Sequence, residues 1–117
     1  MNAIAAMNAL AYPTAVPALP VSTSQRAPAD SMVRVLKAMA HRERLAILCL
    51  LLDGEMCVRD LEHGVGMRQA ALSQQLSRLR AENIVEAVRH GRFMLYRLKS
   101  PQIHSVVRAV CREMAPS

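Results

Sequence analysis

The stretch that decides the fold begins Met56-Cys57-Val58-Arg59-Asp60-Leu61 and continues, past Gly64 and Gly66, into Arg68-Gln69-Ala70-Ala71-Leu72-Ser73-Gln74-Gln75-Leu76-Ser77-Arg78-Leu79-Arg80. It closes with Ile84-Val85-Glu86-Ala87-Val88-Arg89, His90-Gly91 and Arg92-Phe93-Met94-Leu95-Tyr96-Arg97-Leu98. The first part reads as a short helix from about Val58 to His63, with Gly64 and Gly66 making a turn. The second reads as a longer helix from about Arg68 to Glu82. Its Leu72, Leu76 and Leu79 share one face and point inward. Ala70, Ser73, Gln74, Ser77 and Arg78 fall on the opposite side. The third part is two β-prone runs around a glycine turn at His90-Gly91, which is a hairpin.

Short helix, turn, polar-faced helix and β-ribbon is the order of a winged helix-turn-helix, so the expected fold class is mainly α with a β-hairpin wing. Such a unit offers one helix to the major groove of double-stranded DNA and a ribbon to its backbone. Small and amide side chains on the exposed helix face allow close approach to base edges, and glutamine pairs with adenine there. The residues expected to touch DNA are Arg68, Gln69, Ala70, Ser73, Gln74, Ser77 and Arg78 on the helix. Arg89, His90 and Arg92 at the ribbon tip complete the set. Charge supports this placement. Seven bases against two acids lie between Met67 and Lys99, in a chain of net charge +6, and concentrated positive charge seeks a polyanion.

Upstream, a helix is expected to start near Asp30 or Ser31, both good N-caps. Met32, Val35, Leu36 and Met39 fall at helical spacing within it. A polar break at Ala40-His41-Arg42 leads to a central helix, apolar nearly all round through Leu45, Ile47, Leu48, Cys49, Leu51 and Leu52. Gly54 is expected to end it in the left-handed conformation. A last helix begins at Pro101, a favoured first-turn residue. Ile103, Val106, Val107, Val110 and Met114 form its apolar stripe. A terminal helix with so little left to cover suits pairing with a second copy, so a homodimer through the first and last helices is expected.

Residues 1–29 read as a flexible arm and residues 30–117 as the DNA-binding and dimerisation domain. The arm holds Pro13, Pro17, Pro20 and Pro28 among Ala, Ser and Thr, without the periodic apolar face that would repay its ordering entropy. No Lys or Arg precedes its apolar stretch, which disfavours a secretory signal. No apolar run is long enough to span a bilayer. Three cysteines, an odd number, point to a reducing cytoplasm and to thiols that react or bind metal rather than to a disulfide framework. No Cys–His constellation with a third orienting group and no Gly-rich phosphate loop is present, so an enzyme is not expected. No cofactor is expected either. Scarce aromatics disfavour single-strand stacking.

From Val35 to Arg108 the chain resembles the ArsR/SmtB family of small dimeric repressors. The residues carrying the resemblance are Leu36-Lys37-Ala38-Met39-Ala40-His41-Arg42-Glu43-Arg44-Leu45-Ala46-Ile47-Leu48, Gly54 to Leu61, Ala71 to Arg80, and the wing ending Phe93-Met94-Leu95-Tyr96-Arg97-Leu98. It implies a homodimer that represses from a promoter palindrome and leaves when an inducer binds. The family's metalloid motif, Cys-Val-Cys-Asp-Leu, reads Cys57-Val58-Arg59-Asp60-Leu61 here. Arg59 replaces the second thiol. The last helix offers Gln102 and His104 without a second suitable ligand, so no metal site is expected and His104 reads as a surface histidine.

The branch resembled most is the dithiol one, which answers to reactive sulfur or oxidants. It implies Cys49 and Cys111 as the regulatory thiols, with Arg108 and Arg112 placed to favour the Cys111 thiolate. Cys111 falls about one helical turn before that branch's second cysteine. One turn is about 5.4 Å, enough to prevent a direct bond and leave a polysulfide bridge or a shifted register. The bland reading of Cys49 is a small buried hydrophobe. The alternative inducer is arsenite or antimonite, held by Cys49, Cys57 and Cys111 in some combination.

Overall fold

The computed structural model describes residues 23–115, with side chains from residue 27 onward. The chain divides into two units, Met1–Ser31 and Met32–Ser117. Most of the expected arm, residues 1–22, lies outside the described residues. The helices are α1 (Thr23–Met39), α2 (Arg42–Leu50), α3 (Val58–Val65), α4 (Gln69–Ala81) and α5 (Pro101–Met114). The strands are β1 (Met56–Cys57), β2 (Val85–His90) and β3 (Phe93–Leu98).

α1 begins earlier than the N-caps at Asp30 and Ser31 suggest. Pro28 stands inside it, where it forfeits a single backbone bond. The helix-forming residues Gln25, Arg26, Ala27 and Ala29 on either side tolerate that loss. α2 passes into a 3-10 turn, Leu51–Asp53. Gly54 then adopts φ 140°, ψ −173°. This is a glycine conformation, but an extended one rather than the left-handed helical stop expected.

Gly64 belongs to α3 rather than to the turn. A Cβ built on it would sit 2.5 Å from one methyl of Leu50 and 3.1 Å from the other, so the missing side chain lets α3 lie against α2. The turn is made by Gly66 alone, in the left-handed conformation at φ 76°. Its N–H donates to the Glu62 carbonyl.

α4 ends in a Schellman motif. Asn83 takes φ 60°, its N–H donates to the Arg80 carbonyl, and the Ile84 N–H donates to the Leu79 carbonyl, both at 3.0 Å. Asparagine tolerates this backbone better than most residues. Ile84 and Leu79 are both buried, which supplies the apolar contact that accompanies such a stop.

The strands form an antiparallel sheet of order β1-β3-β2. The hairpin turn is Gly91-Arg92, one residue later than expected, because His90 pairs with Phe93 as the last rung. Gly91, at φ 62°, thereby occupies the first central position of the turn, where type II′ hairpins place glycine. The two-residue strand β1 joins through the pairs Met56–Tyr96 and Cys57–Leu95. Across the hairpin, Arg97 Nε donates to Glu86 at 2.6 Å and Nη1 to Glu55 at 3.2 Å. These carboxylates, Glu86 first, raise the guanidinium's already high pKa.

One apolar cluster holds the second unit together. Leu72, Leu76 and Leu79 of α4 meet Ile47 and Leu48 of α2, Leu61 of α3, Ile84 and Val85 at the entry to β2, and Val107 of α5. α5 is capped by Ser100, whose Oγ accepts from the Ile103 N–H at 3.2 Å. Among the described residues no helix is long and apolar enough to cross a membrane.

Candidate nucleic-acid interface and thiol pair

The three leucines of α4 are sunk in the core, and their burial dictates what the opposite side displays. Arg68, Gln69, Ala70, Ser73, Gln74, Ser77 and Arg78 are all exposed. Arg68 is the N-cap rather than the first helical residue. Arg89, His90 and Arg92 are likewise exposed at the end of the hairpin. The fold thus leaves open every residue expected to touch DNA and gathers them on α4 and the wing.

Gln75 behaves differently from its neighbour Gln74. It is half-buried, and its Oε1 accepts from Arg44 Nη1 at 3.3 Å. Arg44 Nε donates at 3.0 Å to the carbonyl of Ala38. One guanidinium therefore joins the end of α1, the start of α2 and the middle of α4. Sequence reasoning missed this link, because nothing in the local pattern says which of two adjacent glutamines turns inward to meet a residue 31 positions away.

Cys49 and Cys111 form a disulfide with a Cα–Cα separation of 6.1 Å. The expectation that a one-turn offset prevents a direct bond is corrected. The separation lies within the range a disulfide tolerates, because the crossing of α5 over α2 sets it, and an alignment along the sequence does not carry that crossing. Cys49 is half-buried at the margin of the apolar cluster rather than fully enclosed in it.

His104 is also not a plain surface histidine. It is half-buried, and its Nε2 donates to the Leu52 carbonyl at 2.9 Å. α5 is thus fastened to α2 and the turn that follows it at two points. Cys57 is the free thiol among the described cysteines. No three His, Cys, Asp or Glu side chains cluster in a way that could hold a metal ion among the described residues.

A second helix buried on its leucines and open on its amides, followed by a basic hairpin, defines a winged helix-turn-helix. Comparison with known proteins agrees. Residues 41–87 match the family model described as bacterial regulatory protein, arsR family. The chain is 38% identical over 82 residues to the biofilm growth-associated repressor of Xylella fastidiosa, covering 70% of this chain and 72% of that one. Reduced HlyU from Vibrio cholerae superposes with a TM-score of 0.72 at 32% identity, covering 81% of this chain and 100% of that chain. The homodimeric winged helix-turn-helix DNA-binding domain of a Mycobacterium bovis protein gives a TM-score of 0.67 at 31% identity, covering 83% and 90%. The chain belongs to the arsR family of bacterial regulatory proteins.

Proposed function

We propose that this protein is a homodimeric transcriptional repressor that holds a promoter palindrome in its reduced state and releases it when Cys49 and Cys111 are oxidised or bridged by sulfur. The observation that carries the gating is the Cys49–Cys111 bond between α5 and α2. Forming it removes two electrons and two protons from the thiols. A persulfide can accept them. One thiolate takes its outer sulfur and expels the carrier thiolate, and the second thiolate then attacks that persulfide and expels hydrosulfide.

Dimerisation is supported by apolar side chains that the second unit leaves uncovered on its two terminal helices. Val33 (45% exposed) and Leu36 (52%) lie on α1, and Met114 (53%) lies on α5. A two-fold through these helices would set two copies of α4 on successive major-groove faces about 34 Å apart. Any movement of α5 against α2 would then change that spacing. The helix face from Arg68 to Arg78 would read bases, and Arg89, His90 and Arg92 would grip the backbone or minor groove. For the metalloid alternative, the third thiol, Cys57, does not join the other two in a ligand cluster.

The test is a mobility-shift titration on a duplex selected by the protein from random sequence, with the protein reduced or treated with a persulfide. Affinity should fall on treatment and be restored by reductant. Equal affinity in the two states would defeat the gating.

A further inference from the structure

The wing carries a residue that neither packing nor charge accounts for. Phe93 is 64% exposed, although a phenyl ring is among the costliest side chains to leave in water. Its place explains the exposure. β1 leaves the sheet after Cys57 to start α3, while β3 runs on past the Cys57–Leu95 pair toward the hairpin tip. Where the two diverge lies a groove of about 520 Å³. Cys57, Arg59 and Glu62 line it from β1 and α3, Arg92 and Phe93 from the hairpin, and Gln69 from the start of α4.

The lining is mixed in a specific way. It holds two guanidiniums and one carboxylate, so it is net positive, and its apolar part is the exposed ring together with Val58 and Met94. Alternating anionic phosphate and apolar deoxyribose is the chemistry that matches it. The groove is also continuous with both parts of the DNA surface, since Gln69 opens the reading helix and Arg92 belongs to the wing tip.

We propose that this groove seats one sugar–phosphate strand of the duplex, with Arg59 and Arg92 on its phosphates and Phe93 against a deoxyribose. The proposal rests on the DNA-binding reading and adds two contact residues, Arg59 and Phe93, that lie outside the helix face and the basic tip. Arg59 replaces a thiol of the metalloid motif. In this chain that position supplies a phosphate contact instead.

Two measurements test it on the full-length protein, using a 30-base-pair random-sequence duplex. In the first, binding is followed against salt concentration. Arg59→Gln should weaken binding and lower the slope of log affinity on log salt by about 0.9 per protomer, the value of one lost phosphate contact. Phe93→Ser should weaken binding about tenfold while leaving the slope unchanged, because an apolar contact releases no counterion. Lys37→Gln, on α1, should leave the slope as it is, which separates a seated contact from a general loss of charge. In the second, the Cys49→Ser/Cys111→Ser variant, which cannot form the disulfide and keeps Cys57 as its one thiol, is alkylated with iodoacetamide. Saturating duplex should slow the reaction toward that of the residual unbound fraction. A wild-type slope for Arg59→Gln, or unprotected Cys57 in a complex that Arg78→Gln still weakens, would overturn the groove and leave the helix-reading interface standing. Failure of the wild-type protein to bind any duplex would overturn both.

Discussion

His104 Nε2 donates to the Leu52 carbonyl at 2.9 Å, seven residues before Cys111 on α5 and three residues after Cys49 at the end of α2. Seven residues are about two turns, or about 10 Å of helix. The hydrogen bond and the disulfide therefore hold one helix against one segment at two separated points. Breaking the bond between sulfurs frees one end only, and His104 remains as the pivot.

His104→Ala should therefore cost about 1 kcal/mol, the usual loss when a partly buried carbonyl gives up its donor. Urea unfolding of the oxidised protein would measure it. His104→Gln, which keeps a donor at comparable reach, should lose less than alanine. Equal losses would show that the ring contributes packing rather than its N–H.

Reducing the disulfide should lower stability by up to about 4 kcal/mol, since the bond spans 62 residues and loop closure of that length removes this much chain entropy from the unfolded state. Urea midpoints with and without reductant would show the shift. The Cys49→Ser variant should unfold at the reduced midpoint under both conditions.

Gly64→Ala gives a test of how closely α3 lies on α2. Both methyls of Leu50 stand within 3.1 Å of the added Cβ, so turning one away does not clear the space. Overpacking of this kind costs about 1–3 kcal/mol, against a gain of about 1 kcal/mol in helix propensity. Gly64→Ala should destabilise the wild-type chain and stabilise a Leu50→Ala background. A double-mutant cycle in urea would read the change of sign.

The DNA surface should separate into two kinds of residue. Gln74→Ala should reduce discrimination at one base pair by about 1–3 kcal/mol with little change in salt dependence. Arg89→Gln should weaken all sequences alike and lower the salt slope by about 0.9 per protomer. Competition between the selected duplex and single-base variants, repeated at several salt concentrations, distinguishes the two.

The helix-turn-helix was legible because its leucines repeat at a spacing that only a helix brings to one face. Leu72, Leu76 and Leu79 are all buried, and Ala70, Ser73, Gln74, Ser77 and Arg78, read on the opposite side, are all exposed. The wing was legible from its two β-prone runs and Gly91. What escaped the sequence depended on contacts between distant segments. β1 is two residues long, too short for any periodicity, and exists only because β3 offers it an edge. The inward turn of Gln75 depends on Arg44. The stop at Asn83 carried a local signal, an asparagine after the last helical turn, that could have been read. The thiol pair was legible as a pair but not as a bond, because a helix crossing is fixed by packing and not by position along the chain.

β1 has a consequence beyond closing the sheet. The pairs Met56–Tyr96 and Cys57–Leu95 attach the ribbon to the very residues that launch the helix-turn-helix, so ribbon and reading helix share a common mount. The bonded cysteines lie on either side of that mount in the chain, Cys49 before it on α2 and Cys111 after it on α5. A thiol trigger of the kind proposed would then act on a recognition unit that travels as one piece, ribbon and helix together.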